Sequence, residues 1–244
     1  MPRIDDLLNQ LGGSKFFTSL NLASGYWQIL IDPEDRHKTA FRTNRGLYEF
    51  KSMAFGLSDA PSTFQRVVNV IFSDLIDKKV LVVYLDDILI HTQTWSEHIE
   101  VVAEVFRRLQ TYNLKIQFKK CKWAKSSLKF LGFIISADGI KMDPAKVLAI
   151  DSFPKPMNVK QLQRFLGLLN FSGKFVDSLA SIASPLYELF QKKKKFVWTE
   201  AHQTAFNGLK QMIKRDISLQ HPDFSKPFLL RTDASNAGLG AVLL

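Results

Sequence analysis

The spacing of apolar residues at the start of the chain predicts one helix followed by extended segments. Apolar side chains recur at helical intervals over residues 4–11, and Gly12 and Gly13 are typical of a helix end. The chain after this helix favours strands, at residues 16–22, at residues 25–31, and in a hairpin of residues 38–43 and 47–51. This order indicates a fold that mixes strands with helices.

A second hairpin, flanked by two helices, is predicted from the strongest apolar runs. The helix before it begins near Ser58, and its apolar face consists of Phe64, Val67, Val68, Ile71, Phe72 and Leu75. Only Asp86 and Asp87 separate the apolar runs 80–85 and 88–90, as in a tight hairpin of buried strands. The helix after it is predicted to pack through Ile99, Val102, Phe106 and Leu109.

The second half of the chain is predicted to be mainly helical. Strand patterns at residues 114–118 and 128–135 precede a turn at residues 137–139. Beyond them helical patterns dominate, at residues 145–151, 159–175, 183–190 and 200–213, and an extended pattern returns at residues 228–230. We therefore predict an α+β fold.

The composition is that of a globular protein with a basic surface. The 244 residues are 46% hydrophobic and 23% charged, which excludes a disordered or collagen-like chain and predicts one or two domains. Lysine and arginine number 33 against 23 acids, and the net charge of +10 favours a polyanionic partner. Lysines cluster within residues 115–129 and at residues 192–195, where a solvated surface is the alternative interpretation of the second cluster.

Several kinds of site are excluded by the sequence. Cys121 is the only cysteine, so neither a disulfide framework nor a cysteine-cluster metal site is predicted. His91, His98 and His202 lack paired metal-ligand spacing, so zinc is not predicted. The chain contains neither the apolar core of a signal peptide nor an apolar run of roughly 18 residues, so we expect an intracellular protein without a membrane partner.

Asp86 and Asp87 are the strongest candidates for chemistry. Adjacent carboxylates at a hairpin tip repel each other unless a cation lies beside them, and hard oxygen ligands suit Mg²⁺. A third carboxylate from a neighbouring strand would complete a two-metal phosphoryl-transfer site. Aspartate is also a common turn residue, but this alternative explains only one acid. Nine of the ten residues 80–85 and 88–91 are apolar or aromatic, and such a buried frame makes a second acid costly.

The tetrapeptide Tyr84-Leu85-Asp86-Asp87 resembles the Tyr-x-Asp-Asp motif of reverse transcriptases. Other segments resemble the Ty3/gypsy retrotransposon class in the same order over nearly the whole chain. They are residues 17–29 of the first palm motif, 38–41 and 48–50 of the following strands, 55–65 of the nucleotide-facing motif, 130–133 of the primer grip, 165–168 and 185–186 of the thumb, and 232–243 of the RNase H module. The chain is therefore identified as a member of this class.

The resemblance implies an RNA-directed DNA polymerase from a Pol polyprotein. Its implied organisation is a polymerase palm with residual fingers over residues 1–136, a thumb/connection over residues 137–220, and a truncated RNase H-like segment over residues 221–244. The implied partners are an RNA/DNA primer–template duplex, a dNTP, and other Pol segments or an intact polymerase subunit. The expected location is the cytoplasm, within a retroelement particle, with the nucleus as a second compartment.

The same resemblance assigns roles to individual residues. Asp86 and Asp87 would hold Mg²⁺, or Mn²⁺, and Asn21 occupies the position of the family's third aspartate. The nucleotide-binding residues would be Leu22, through its carbonyl, Tyr26, under the incoming sugar where it excludes a 2′-hydroxyl, and Phe55 and Gly56, beside the nucleotide. The nucleic-acid-binding residues would be Gln65, facing the template, Leu131 and Gly132 in the primer grip, and Lys174 in the thumb. Asp233 would be the first acid of an incomplete RNase H site, so we expect no RNase H activity.

Two departures from the family pattern open alternatives. Asn21 offers a neutral oxygen where the family has a carboxylate. The chain also begins inside the family pattern, so we expect the upstream fingers strands and their basic residues to be missing. A catalytically impaired nucleic-acid-binding remnant and a structural partner subunit are therefore the alternatives to an active polymerase.

Overall fold

The computed structural model describes residues 1–176, 179–190, 196–215, 217–222, 226–235 and 238–243, with only the backbone of residues 233–235, 238–240 and 242–243. The helices are α1 (Ile4–Asn9), α2 (Ala60–Ile71), α3 (Ser73–Asp77), α4 (Trp95–Thr111), α5 (Pro144–Asp151), α6 (Val159–Phe171), α7 (Leu179–Glu188) and α8 (Glu200–Ile213). The strands are β1 (Phe16–Asn21), β2 (Phe41–Thr43), β3 (Gly46–Tyr48), β4 (Leu81–Tyr84), β5 (Asp87–Thr92), β6 (Lys122–Lys125), β7 (Ser127–Phe130), β8 (Phe133–Ser136), β9 (Gly139–Met142), β10 (Ser218–Leu219), β11 (Leu230–Ser235) and β12 (Gly238–Leu243). The α+β class is confirmed.

The first sheet holds the candidate site and has four antiparallel strands in the order β4-β5-β1-β6. Helices α2 and α4 cover one face, through a core that includes Phe64 and Val105. Helix α1 and the second sheet cover the other face, where Leu8, Phe17 and Val82 are buried. Because both faces are covered, β4 and β5 are almost continuously apolar instead of alternating, which explains the strong sequence pattern of this hairpin.

The second sheet has the order β10-β9-β8-β7, and helices α5 to α8 bury a separate core around Phe165 and Phe206. The β8–β9 hairpin crosses residue 136. The division of the chain at residues 136 and 220 therefore stays a prediction. Among the residues that the structure describes, no helix has both the length and the apolar composition needed to cross a membrane.

Helix α4 has two apolar stripes, and the packing face predicted from the sequence was partly wrong, since of its four residues only Leu109 is buried. The buried residues are His98, Val101, Val105 and Leu109. Ile99 is 51% exposed and Phe106 is 37% exposed, whereas Val102 lies partly buried at the edge of the core. Neighbouring positions on a helix are rotated by about 100°, so a shift of one residue selects a different face. Phe106 instead stacks on Trp123, with 5.8 Å between ring centroids.

Several element boundaries also differ from the prediction. Residues Gly25–Gln28 form a 3₁₀ turn instead of a strand, because Ser24 before them adopts a left-handed φ of 52°. Segment 114–118 makes an isolated bridge between Leu22 and Ile116 instead of a strand. Strand β6 was not predicted, because the lysines at its two ends, which are typical of an edge strand, interrupt the apolar pattern. Segment 128–135 is divided into β7 and β8, the helix predicted over 159–175 ends at Phe171, and α7 begins earlier than predicted. The lysine cluster 192–195 lies outside the described residues.

Candidate active site

Asp86 and Asp87 lie at the tip of the β4–β5 hairpin. Tyr84 pairs with Asp87 across the hairpin, so Leu85 and Asp86 form a two-residue turn. Asn21 is the last residue of β1 and pairs with Asp87 from the other side. Its Nδ2 donates a hydrogen bond of 2.7 Å to Asp87 Oδ1. The structure thus brings together the three residues that the family resemblance assigned to the metal site.

The carboxyl group of Asp86 lies in an environment that disfavours its charge. Its Oδ1 is buried and has no hydrogen-bond partner among the described residues. Burial raises the pKa of Asp86, and the neighbouring Asp87 charge raises it further, while Lys120 and the Gly25 backbone N–H oppose the rise. An unsatisfied carboxylate oxygen beside a second carboxylate is an arrangement that a bound cation would stabilise.

The donor set fits a divalent cation that prefers hard oxygen ligands. Asp86 and Asp87 would supply the two charged ligands, and Asn21 adds no charge. Within the described part of the chain, no group of three or more histidine, cysteine, aspartate or glutamate side chains is placed to hold a metal ion. The site therefore offers one negative charge fewer than a three-carboxylate site.

Gly25 provides the space for the Asp86 carboxylate. A Cβ at this position would lie 2.1 Å from Asp86 Oδ1 and 2.5 Å from Phe64 Cζ. Any larger residue would push the carboxylate out of its position. Gly25 could not be singled out from the sequence, because the close approach depends on a tertiary contact with Asp86 in the β4–β5 turn.

Tyr26 lies beside the carboxylates in the 3₁₀ turn that follows β1. Its ring centroid is 5.2 Å from that of Phe55 and 5.3 Å from that of Phe64. Burial raises the pKa of Tyr26, and the charges of Asp86 and Tyr84 add to the rise. Tyr26 is therefore a neutral, packed ring next to the carboxylates, which is the position that the family resemblance implies.

Phe55 and Gly56 form an open rim next to Tyr26. The Phe55 side chain is 61% exposed. Gly56 has a φ of +96°, and a Cβ there would meet nothing within 4 Å. Glycine is thus required by the backbone conformation and not by crowding, and the space above it is free for a ligand. The Leu22 N–H donates to the Asp86 carbonyl over 2.8 Å, which ties the end of β1 to the hairpin tip.

Gln65 occupies a different environment from the one the sequence implied. Its side chain is 4% exposed. Its Oε1 accepts from the Leu85 N–H over 2.8 Å, and its Nε2 donates to the Val83 carbonyl over 3.1 Å. A buried amide that is bonded to the hairpin backbone does not face a template. The structure therefore contradicts the expected template contact.

The residues assigned to the primer grip and the thumb form a second cluster. Leu131 and Gly132 make the β7–β8 turn, with φ angles of +47° and +81°. Lys174 Nζ lies 4.2 Å from the Phe133 ring centroid and 3.0 Å from Asp5 Oδ1. The structure therefore places Lys174 beside the strand that follows the turn, and the two assigned roles stay predictions.

Lys146 belongs to the same cluster but was not predicted. Its Nζ lies 3.4 Å from the Phe171 ring centroid and occupies the space of a Gly132 Cβ, which would be 2.2 Å away. Burial lowers the pKa of Lys146, against the opposing charge of Asp143. Asp233 lies in β11, where its backbone pairs with Gly240, but its side chain is outside the described residues.

Two known families match the two ends of the chain, and several curated proteins match all of it. Residues 1–135 match the family described as reverse transcriptase (RNA-dependent DNA polymerase), and residues 198–244 match an RNase H-like domain found in reverse transcriptase. Over 100% of this chain, the retrovirus-related Pol polyproteins from transposons 297 and gypsy of Drosophila melanogaster are 45% and 39% identical. The transposon Tf2-3 polyprotein of Schizosaccharomyces pombe is 38% identical. The chain spans 23%, 24% and 18% of these three relatives.

Solved structures of the foamy viral protease-reverse transcriptase share the fold. The dRH form in complex with ds DNA is 25% identical with a TM-score of 0.88, covering 96% of this chain and 41% of that chain. The structure in complex with RNA/DNA hybrid is 24% identical with a TM-score of 0.86, covering 99% of this chain and 35% of that chain. These likenesses confirm the palm architecture that the sequence predicted.

Proposed function

Because the chain belongs to the reverse transcriptase family, among the Ty3/gypsy-class retrotransposon Pol polyproteins, we propose that it forms the palm and thumb of an RNA-directed DNA polymerase. The observation that carries the proposal is the hairpin tip. There Asp86 and Asp87 lie beside the packed ring of Tyr26 and the open rim at Gly56. Paired carboxylates next to open space are suited to phosphoryl transfer onto a bound primer.

In the proposed reaction a primer 3′-hydroxyl attacks the α-phosphate of a dNTP, and pyrophosphate leaves. Divalent cations would supply the stabilisation of charge on the transferred phosphoryl group. Asp86 and Asp87 would hold these cations, and the Asn21 amide fixes the orientation of Asp87 through its hydrogen bond. The ring of Tyr26 would lie under the sugar of the incoming nucleotide. There it would exclude a 2′-hydroxyl, the group that distinguishes a ribonucleotide from a deoxyribonucleotide.

The proposed partner is an RNA/DNA primer–template duplex. A reverse transcriptase of similar fold holds ds DNA, and this chain places Lys146 and Lys174 on an aromatic surface beside the Gly132 turn. Contacts of lysines with phosphates predict that affinity falls steeply between about 50 and about 200 mM salt and depends little on sequence. Fluorescence anisotropy with two duplexes of unrelated sequence measures both effects. Equal affinity at both salt concentrations would contradict the proposal.

A catalytically impaired nucleic-acid-binding protein is the second candidate, and one observation favours it. Asn21 Nδ2 already satisfies Asp87 Oδ1 without adding negative charge to the site. A structural subunit beside an intact polymerase would show the same feature. The proposed location for each is the cytoplasm, within a retroelement particle, with the nucleus as a second compartment, and imaging of a tagged chain tests it.

Primer extension on an RNA template with Mg²⁺ or Mn²⁺ separates these candidates. Asn21→Asp adds a carboxylate of nearly equal size beside the proposed cations. We expect the added charge to stabilise the transition state by about 3 kcal/mol, which corresponds to about a hundredfold faster primer extension, since each factor of ten is about 1.4 kcal/mol. The matched control is Asn207→Asp, which adds the same charge at an exposed position of α8. If the Asn21 and Asp forms extend primers equally fast, the third-carboxylate argument is wrong. If neither form extends, the binding protein or the subunit is favoured.

A further inference from the structure

The side-chain amide of Gln65 bonds to both sides of Tyr84 at the hairpin tip. Its Oε1 accepts from the Leu85 N–H over 2.8 Å, and its Nε2 donates to the Val83 carbonyl over 3.1 Å. The same Nε2 donates to Asn69 Oδ1 over 2.9 Å, one turn further along α2. A primary amide has a donor and an acceptor at one end, so it can satisfy both backbone groups at once.

The turn that this amide contacts has a strained conformation. Leu85 is the first central residue of the two-residue turn and has a φ of 52°, whereas Asp86 after it does not have a positive φ. Hairpins of this kind favour glycine at the first central position, because a side chain there meets the backbone. Leucine at this position needs an external contact that holds the turn, and its N–H finds that contact in Gln65.

The geometry points to Gln65 as a positioning residue for the carboxylates. We propose that its amide holds Leu85 in the left-handed conformation and so presents Asp86 and Asp87 beside Asn21. Without the amide, the Leu85 N–H and the Val83 carbonyl lose a buried partner, and the turn relaxes toward an ordinary conformation. The carboxylates would then lose their mutual alignment. The part of the proposal that concerns cation binding rests on the proposed function.

The test compares Gln65→Met with Gln203→Met, a matched substitution in α8. Gln203 also donates Nε2 to an asparagine four residues later, Asn207, and its Oε1 accepts from Trp198 Nε1. Methionine keeps the length of the side chain and removes the amide. Two measurements are made on the full chain: hydrogen exchange of the Leu85 amide in metal-free protein, and Mn²⁺ affinity from the electron paramagnetic resonance of free Mn²⁺.

We expect Gln65→Met to accelerate exchange at Leu85 and to weaken Mn²⁺ binding, each by about tenfold, the order expected for a buried group that loses its partner. Gln203→Met should change neither value. Adding Leu85→Gly to Gln65→Met should restore most of the Mn²⁺ affinity, because glycine adopts a positive φ without strain. If Gln65→Met does not fold, Asn69→Ala removes an exposed partner of the same amide and should weaken Mn²⁺ binding by about twofold.

The proposal is overturned if Gln65→Met leaves exchange and Mn²⁺ affinity unchanged, or if Gln203→Met reproduces its effects. A failure of Leu85→Gly to restore affinity would overturn the role of the strained turn. If the unsubstituted chain binds no Mn²⁺, the proposed metal site fails. Exchange at Leu85 then still decides whether Gln65 holds the turn.

Discussion

The two ends of strands β1 and β5 carry polar clusters of opposite character. At one end Asp86 and Asp87 are partly exposed, and the Asp86 Oδ1 lacks a hydrogen-bond partner among the described residues. At the other end His98 is 2% exposed and fully engaged. Its Nε2 lies 2.7 Å from Thr18 Oγ1, and its Nδ1 lies 2.9 Å from Thr92 Oγ1. The first cluster is incomplete without a ligand, whereas the His98 network is complete within the protein.

This difference shows that polar burial and cleft size do not by themselves locate chemistry. A cleft of about 1490 Å³ opens at the histidine end, lined by Ser14, His91 and His221 among others. The His98 network next to it contributes to the stability of the sheet, because a satisfied network in a low dielectric fixes one arrangement. His91 Nε2 and His221 Nδ1 at this end are buried without a hydrogen-bond partner among the described residues, so an unsatisfied polar atom does not by itself locate chemistry either. The carboxylate end differs in its charge, because Asp86 and Asp87 are adjacent acids, and a bound cation would balance that charge.

The largest effect should follow from Asp86→Asn, which removes one negative charge from the carboxylate end. We expect primer extension to fall by roughly a thousandfold, since several kcal/mol of charge stabilisation are lost from the transition state. The free energy of unfolding should stay equal or rise, because the substitution also removes repulsion from Asp87. Single-turnover extension and chemical denaturation measure the two values. A much lower free energy of unfolding in the Asn form would show instead that Asp86 has a structural role, like the residues of the His98 network.

The second effect concerns how the free energy of unfolding depends on pH through the histidine end. Burial lowers the pKa of His91 to about 4, and the charges of His221 and His98 add to this. The folded state therefore binds a proton at His91 less readily than the unfolded chain, whose value is near 6.5. The resulting stability is fully present above pH 6.5 and is lost as the pH falls toward 4, by up to about 3 kcal/mol. Denaturation across this range should show a smaller loss for His91→Phe than for the unsubstituted chain.

The smallest effect should come from Thr18→Val, which keeps the shape of the side chain and removes its hydroxyl. His98 Nε2 and the Ala124 N–H both lose their partner at Thr18 Oγ1. Leaving two buried groups unsatisfied should lower the free energy of unfolding by about 2 kcal/mol. Mn²⁺ affinity should not change, because the proposed metal site is at the other end of β1. A loss of Mn²⁺ affinity would show that the two clusters are coupled.

The fold was predictable where one apolar pattern had one interpretation. The helix predicted over residues 200–213 matches α8 at both ends, and the β4–β5 hairpin follows from two apolar runs. Helix α4 was misjudged because its Val101 and Ile99 stripes are equally periodic, and only the sheet decides which one is buried. Periodicity identifies amphipathic faces but does not choose between two of them.

The candidate site was predictable in its charged residues and not in its supports. Asp86 and Asp87 stand out because acids are rare inside apolar runs. Gln65 and Gly25 act through contacts with residues that are distant in sequence, and neither residue type is unusual in its local segment. Such contacts depend on how α2 and the turn after β1 pack against the hairpin, which local patterns do not encode.

Mn²⁺ binding by the metal-free chain tests the central claim most directly, because the claim is that the carboxylate end needs a cation and the histidine end does not. The account predicts binding by the unsubstituted chain, loss of that binding in Asp86→Asn, and unchanged binding in His91→Phe. Binding that survives Asp86→Asn, or that disappears in His91→Phe, would contradict the assignment of Asp86 and Asp87 as the metal-binding carboxylates.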